Sequence, residues 1–206
     1  MKQLILASQS PRRKELLTQL GYQFISIAAD IDETLNDGED SKNYVIRLAE
    51  EKAKTIFFRL SEAEKINAVV IGSDTSVVAE GEILGKPADE AECISTLMRL
   101  ENKQHQVLTA IAVISQDTNN KTISKLIETQ VKFKTLTVDE IKRYWLTGEP
   151  CDKAGSYAIQ GIGGQFVTEI KGSYSAVVGL PLYETVQLLA QVHLPTSICN
   201  NNTPII

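Results

Sequence analysis

The run Ala68-Val69-Val70-Ile71-Gly72-Ser73-Asp74-Thr75 places a carboxylate just after four apolar residues, three of them β-branched. Such a run reads as a buried strand, ended by Gly72. Asp74 then lies at the strand's C-terminal edge, where open α/β sheets place their ligand crevices. Thr75 to Ala79 reads as a second strand, turned at Glu80-Gly81, with Glu82-Ile83-Leu84 returning. That return brings Lys86, in Gly85-Lys86-Pro87, back towards the crevice. An acid and a lysine on rigid edges suit a phosphate ester and a metal ion. The plainer alternative is an ordinary Asp turn beside an exposed lysine.

Two further groups of cations suggest the same chemistry. Gln3 to Ala7 reads as a strand and Ser8-Gln9-Ser10 as a tight loop, with Ser10 as N-cap and Pro11 at the first helical position. Leu16, Leu17 and Leu20 form the helix stripe, and Gly21 stops it. Arg12 and Arg13 in the first turn oppose the helix dipole, each at roughly 0.3–1 kcal/mol. A bound anion reverses that penalty, because free N–H groups and two guanidiniums converge on it. A solvated arginine pair that merely tolerates the dipole is the alternative, yet strand, serine loop and capped helix all aim the same way. Further on, a helix from about 42 to 60 carries Val45, Leu48, Ala49, Ala53, Ile56 and Phe57 on one face. Lys52 is four residues from both Leu48 and Ile56, so it falls on that stripe, whereas Lys54 does not. Lysines so placed generally snorkel to the rim.

The remaining elements follow from pattern. Phe24 to Ala28 is strand-like and precedes the acidic run Asp30-Ile31-Asp32-Glu33. Asp89 caps a helix, with Glu92 completing a capping box and Ile94, Leu97 and Met98 as its buried side. His105 to Val113 is a long strand, Asp117 to Asn120 a turn, and 123–134 pairs back. Thr137 with Glu140 opens a short helix through Trp145 that stops at Gly148. Residues 152–181 are dense in glycine (Gly155, Gly161, Gly163, Gly164, Gly172, Gly179) but match no phosphate-loop or dinucleotide fingerprint. Leu182 to Val192 is a closing helix, and residues 195–206 read as a flexible tail.

Bulk properties narrow the classes. A chain of 206 residues supports one sizeable core. No apolar run approaches the ~20 residues that span a bilayer, and the N-terminus resembles neither a signal nor a transit peptide. Cys93, Cys151 and Cys199 are odd in number and widely spaced, as expected of reduced thiols in the cytoplasm. A net charge of −5 argues against stable nucleic-acid binding. His105 and His193 are too few and too far apart for a histidine metal site.

Taken in order, four motifs resemble the Maf-like nucleoside triphosphate pyrophosphatases. They are Leu6-Ala-Ser-Gln-Ser-Pro-Arg-Arg13 with Glu15-Leu-Leu17, Gly72-Ser-Asp-Thr75 with Gly85-Lys-Pro87, Asp152-Lys-Ala-Gly-Ser-Tyr-Ala-Ile-Gln-Gly161, and Gly172-Ser-Tyr-Ser-Ala-Val-Val-Gly-Leu-Pro-Leu182. The resemblance covers roughly residues 3–193. It implies an α/β fold with an elongated mixed β-sheet flanked by helices, two lobes around a nucleotide cleft within a single domain (1–194), and a homodimer. The activity it implies is hydrolysis of a nucleoside triphosphate between its α and β phosphates, giving the monophosphate and pyrophosphate, with a divalent metal such as Mg2+ or Mn2+. By position, Asp74 is the implied catalytic base and Arg12, Thr75 and Gln160 the implied specificity residues. Ser8, Arg13, Lys52 and Lys86 line the triphosphate, and Glu33 joins Asp74 at the metal. Whether Asp74 takes the proton itself or holds the metal stays open.

Thr75 and the Tyr157-to-Gly161 stretch resemble the branch that takes dTTP and UTP. A glutamine can donate and accept at once along a pyrimidine edge. Gln160 could instead satisfy the backbone of its own glycine-rich loop. Two other readings compete. Asp30-Ile-Asp-Glu-Thr34 fits the DxDxT pattern of aspartyl-phosphate phosphatases, in which Asp30 would be the nucleophile and Asp32 its partner. A non-enzymatic regulator of cell division is the third possibility, and product analysis separates all three.

Overall fold

Continuous apolar runs and helical stripes succeed one another along the chain, and the computed structural model, which describes residues 2–196, folds them in that sequence. The first half holds β1 (Gln3–Leu6), α1 (Pro11–Gln19), β2 (Phe24–Ser26), α2 (Ser41–Arg59), α3 (Glu62–Lys65), β3 (Ala68–Ala79), β4 (Glu82–Leu84) and α4 (Glu90–Leu100). The second holds β5 (Gln104–Ser115), β6 (Ile123–Phe133), α5 (Val138–Trp145), β7 (Val167–Lys171), α6 (Tyr174–Val178) and α7 (Leu182–Gln191). All seven strands join one mixed sheet in the order β2-β1-β3-β5-β6-β7, with β4 paired to β3. β1 is parallel to both β2 and β3, while β3 with β4 and β6 with β7 are antiparallel. This is the helix-flanked mixed sheet that the motifs imply.

The chain forms two compact units. One comprises the residues up to Asp74, Ala110–Leu126 and the chain from Gly179 onward; the other comprises Thr75–Thr109 and Ile127–Val178. Strands β3, β5 and β6 each contribute to both.

In the first unit, Asp40 caps α2 by accepting from the N–H groups of Lys42 and Asn43, both at 2.9 Å. The stripe Val45, Leu48, Ala49, Ala53, Ile56 and Phe57 is buried as its spacing predicts. Gly72 differs from expectation. β3 does not stop there but runs on for twelve residues, so Asp74 sits in mid-strand instead of at an end. The glycine serves close approach: a Cβ there would lie 2.2 Å from the Ala49 carbonyl oxygen and 2.8 Å from the Ala53 nitrogen. The backbone of α2 rests directly on β3 at this point.

The second unit has its own core, which includes Val77, Leu84, Cys93, Leu97, Leu100, Phe133, Tyr144 and Phe166. α4 buries Cys93, Leu97 and Leu100, whereas Ile94 is half-buried and Met98 exposed. Counting Cys93 as apolar, as small thiols generally are when buried, selects the right face. Both capping boxes were anticipated, but Glu92 accepts from the Ala88 N–H at 2.7 Å, one residue beyond the cap. The Thr137–Glu140 box is complete. The glycine-dense stretch contains β7 and α6, which its composition hid. β2 is two residues shorter than Phe24–Ala28. Of the expected tail, residues 197–206 lie outside the described residues.

Candidate active site

Lys52 comes from the buried stripe of α2 and Asp74 from the middle of β3, on the two elements that Gly72 lets touch. The Lys52 Nζ donates to Asp74 Oδ1 at 2.7 Å, and Glu33 Oε1 lies 2.7 Å from the same nitrogen. Lys52 is 8% exposed and Asp74 7%, so this lysine does not snorkel. An ammonium so buried is tolerable because two carboxylates meet it; alone it would carry a penalty of several kcal/mol. Glu33 reaches the pair from the irregular segment between β2 and α2, with its side chain half exposed.

That segment is fastened to α2 by residues the sequence reading passed over. Tyr44 Oη donates to the Glu33 carbonyl at 2.8 Å. Arg47 grips both Glu39 carboxylate oxygens at 2.7 Å each and donates to the Thr34 carbonyl at 3.0 Å. Hydrogen bonding to Glu39 holds the Arg47 guanidinium above its ordinary value. Burial, then the charges of Asp74 and Glu33, push the Tyr44 phenol up. The available signal was the spacing of Tyr44 and Arg47, three apart on one helix face beside an acidic segment.

The serine loop and the first turn of α1 form the second part of the site. Ser10 begins the helix, but its side chain makes no capping bond. Ser8 Oγ instead accepts from the Ser10 N–H at 3.2 Å and from Arg13 Nη1 at 3.3 Å. Arg13 Nε donates to the Gly179 carbonyl at 2.9 Å, and so does the fully buried Ser73 hydroxyl, also at 2.9 Å. Burial lowers the Arg13 guanidinium from its usual value; Asp74 opposes this, Arg12 adds to it and Glu33 opposes it. Arg13 thus lies in the field of both carboxylates while its fork also ties the loop before α7 to α1. Arg12 is half-buried, and its side chain makes no hydrogen bond or ion pair among the described residues. Ser8, Arg12, Arg13, Glu33, Lys52 and Asp74 all belong to the first unit.

Thr75, Lys86 and Gln160 belong to the second unit. The fully buried Thr109 sets its hydroxyl 3.1 Å from that of Thr75 and donates to the Ala176 carbonyl at 2.7 Å. Lys86 is exposed, and its hairpin is joined to the glycine-rich stretch by the Gly155 N–H, which donates to the Gly85 carbonyl at 3.0 Å. Gln160 is exposed and makes no hydrogen bond among the described residues. The loop backbone it could have satisfied is held by Glu149, which accepts from the N–H groups of Ile162 at 2.8 Å and Gly163 at 2.9 Å. Gln160 therefore keeps its full donor and acceptor capacity.

For a divalent cation, no cluster of three His, Cys, Asp or Glu side chains occurs among the described residues. Glu33 and Asp74 nevertheless converge as hard oxygen donors, and magnesium, which keeps several waters, needs only one or two carboxylates. The donor chemistry fits. Asp30 and Asp32, the alternative nucleophile pair, lie exposed in irregular chain, and Asp32 accepts from the Thr34 N–H at 2.9 Å to close a turn.

The chain is 61% identical over 197 residues to the dTTP/UTP pyrophosphatase of Colwellia psychrerythraea, covering 96% of this chain and 92% of that protein. It is 52% identical to the dTTP/UTP pyrophosphatase of Vibrio vulnificus (92% and 98% covered) and 53% to that of Pseudoalteromonas atlantica (93% and 97%). Among solved structures, a HAM1 protein from Coxiella burnetii matches at 19% identity with a TM-score of 0.42, over 65% of this chain and 73% of that one. The family model described as Maf-like protein matches residues 3–192, and with relatives this similar along nearly their whole length the chain belongs to the Maf-like proteins.

Proposed function

We propose that the chain hydrolyses dTTP and UTP to the monophosphate and pyrophosphate, as housecleaning of the nucleotide pool. The observation that carries this reading is the junction of the buried Asp74 and Lys52 with Glu33, in a chain more than half identical to dTTP/UTP pyrophosphatases. In this reading water attacks the α-phosphorus, Asp74 takes its proton, and pyrophosphate leaves with the electron pair of the broken P–O bond. Lys52 holds the Asp74 carboxylate in place through their 2.7 Å contact, and offers its ammonium to a phosphate oxygen when substrate arrives. Arg12, Arg13, Lys52 and Lys86 supply four positive charges for a triphosphate that carries nearly four negative ones. A magnesium or manganese ion held by Glu33 and Asp74 would add charge neutralisation on the phosphate oxygens.

Gln160 and Thr75 are assigned to the base, with the acceptor–donor–acceptor edge of uracil and thymine as the object read. Pyrimidine nucleotides modified at C5 belong to the same proposal. Cytoplasmic placement is supported by the free thiols Cys93 and Cys151; no described helix is long and apolar enough to cross a membrane. A homodimer is part of the same proposal by family likeness. The test is product analysis on a nucleotide panel. Pyrophosphate released from dTTP and UTP, with ATP, GTP and dCTP slower, is the expected result. Orthophosphate as the product, or preference for a purine nucleotide, would overturn it.

A further inference from the structure

Glu149 lies outside every motif that suggested the function, yet the turn carrying Gln160 is built around it. Its Oε1 accepts from the Tyr144 hydroxyl at 2.7 Å and from the Gly163 N–H at 2.9 Å, and its Oε2 accepts from the Ile162 N–H at 2.8 Å. Tyr144 Oη in turn accepts from the Ala158 N–H at 3.2 Å. The backbone is therefore held at 158 on one side of Gln160 and at 162 and 163 on the other. The local glycines follow from the same contact: a Cβ at Gly161 would lie 2.1 Å from Glu149 Oε2, and one at Gly163 would lie 2.6 Å from Tyr144 Oη. Their density reflects close approach to a carboxylate and a phenol of the chain itself. Burial pushes the Glu149 carboxyl up, but hydrogen bonds from Gly163, Tyr144 and Ile162 more than offset this and hold it below its ordinary value.

We propose that Glu149, with Tyr144, is a positioning residue for base selection: it fixes the turn 158–164 so that Gln160 meets the pyrimidine edge, and it never touches the substrate itself. This rests on the pyrophosphatase reading above and on its assignment of Gln160 to the base. A carboxylate is required because both oxygens must accept. The isosteric amide offers one accepting oxygen and turns an NH2 towards donors, which displaces one side of the turn.

The test compares kcat/KM for UTP and CTP in the wild type, Glu149→Gln, Tyr144→Phe, Gln160→Ala and the Glu149→Gln/Gln160→Ala double variant. Loss of one well-placed base contact costs about tenfold in discrimination, so Glu149→Gln should lower the UTP/CTP ratio by about that factor. Tyr144→Phe should lower it by about threefold, since the two backbone contacts to Glu149 remain. In the Gln160→Ala background Glu149→Gln should leave the ratio unchanged; in the wild-type background a merely structural role would slow both substrates alike and keep the ratio intact. A normal ratio in Glu149→Gln, with a reduced one in Gln160→Ala, overturns the proposal and leaves the enzyme reading standing. If Glu149→Gln does not fold, the ratio in Tyr144→Phe decides by the same criterion. No pyrophosphate from UTP in the wild type would overturn the function itself, and an unaltered ratio in Gln160→Ala would overturn both its assignment and this one.

Discussion

Asp74, buried, and Glu149, half-buried, are both carboxylates held by short contacts, but the nature of their partners separates them. Asp74 faces an ammonium from another element, and that ammonium is shared with Glu33. Glu149 faces a phenol and two peptide N–H groups of its own neighbourhood. A charged partner on a long side chain can be exchanged, because an arriving phosphate offers Lys52 another acceptor. Peptide donors cannot be exchanged without unwinding the turn they belong to. The first carboxylate is therefore suited to chemistry, and the second to holding shape.

The largest effect should come from Asp74. Asp74→Asn conserves shape but removes the base, so kcat should fall by 10²–10⁴-fold, as an order of magnitude, with the far-UV circular dichroism unchanged. Full activity in that folded variant would erase the distinction between the two carboxylates.

Glycine replacements sharpen the contrast. At Gly72 a methyl meets helix backbone, which cannot turn aside, so Gly72→Ala should destabilise by at least ~1–3 kcal/mol and part Lys52 from Asp74. At Gly161 the methyl meets only the end of the Glu149 side chain. Gly161→Ala should therefore cost less stability, read as a smaller shift in the urea midpoint, and alter base discrimination instead. The reverse order of midpoints would mean that the turn, and not the α2–β3 contact, is the rigid element.

A third test uses pH. His105 is buried beside Tyr157, with its Nε2 2.9 Å from the phenol oxygen and its Nδ1 without a hydrogen-bond partner. Burial lowers its value from 6.5 to about 4. As pH falls from about 6.5 to about 4, the unfolded chain takes up the proton before the folded one, so stability is lost across that window. The total is roughly 3 kcal/mol at about 1.4 kcal/mol per unit. Urea unfolding at pH 7 and pH 5 should show a steeper decline in the wild type than in His105→Gln. Equal slopes would assign the acid sensitivity to the paired carboxylates instead, such as Glu140 beside Lys134.

Tyr44→Phe should have the smallest effect. Losing one hydrogen bond to the Glu33 carbonyl is worth about 1 kcal/mol, or about fivefold in kcat/KM if Glu33 is displaced. No change in the metal concentration needed for half-maximal rate would remove Glu33 from the cation site.

Much of this was legible in the sequence, and the failures have identifiable causes. The α2 stripe placed Lys52 on the buried face by arithmetic of the helical period, and the structure pairs it with Asp74. Gly72 misled because a glycine in a strand has the same signature whether it breaks the strand or admits a neighbouring backbone. Only the position of α2, a tertiary fact, tells these apart. Arg13 was read as an anion ligand from the helix dipole, but no local rule could reveal that it also binds the Gly179 carbonyl, 166 residues away. β7 was hidden because Val167 and Ile170 are few apolar positions among glycines and charges, and the strand depends on its register with β6.

The grip of Glu149 on main-chain N–H groups has an evolutionary consequence. Every residue except proline supplies the same donor, so the exposed side chains at 160 and 162 are free to drift without loosening the turn. Relatives with a different residue at 160 could keep the frame and exchange only what it presents. Proline at 162 or 163 is the substitution that the frame forbids, since it would delete the donor itself. Nucleotide preference in such a turn can diverge by single substitutions, while the scaffold that presents it stays under separate selection.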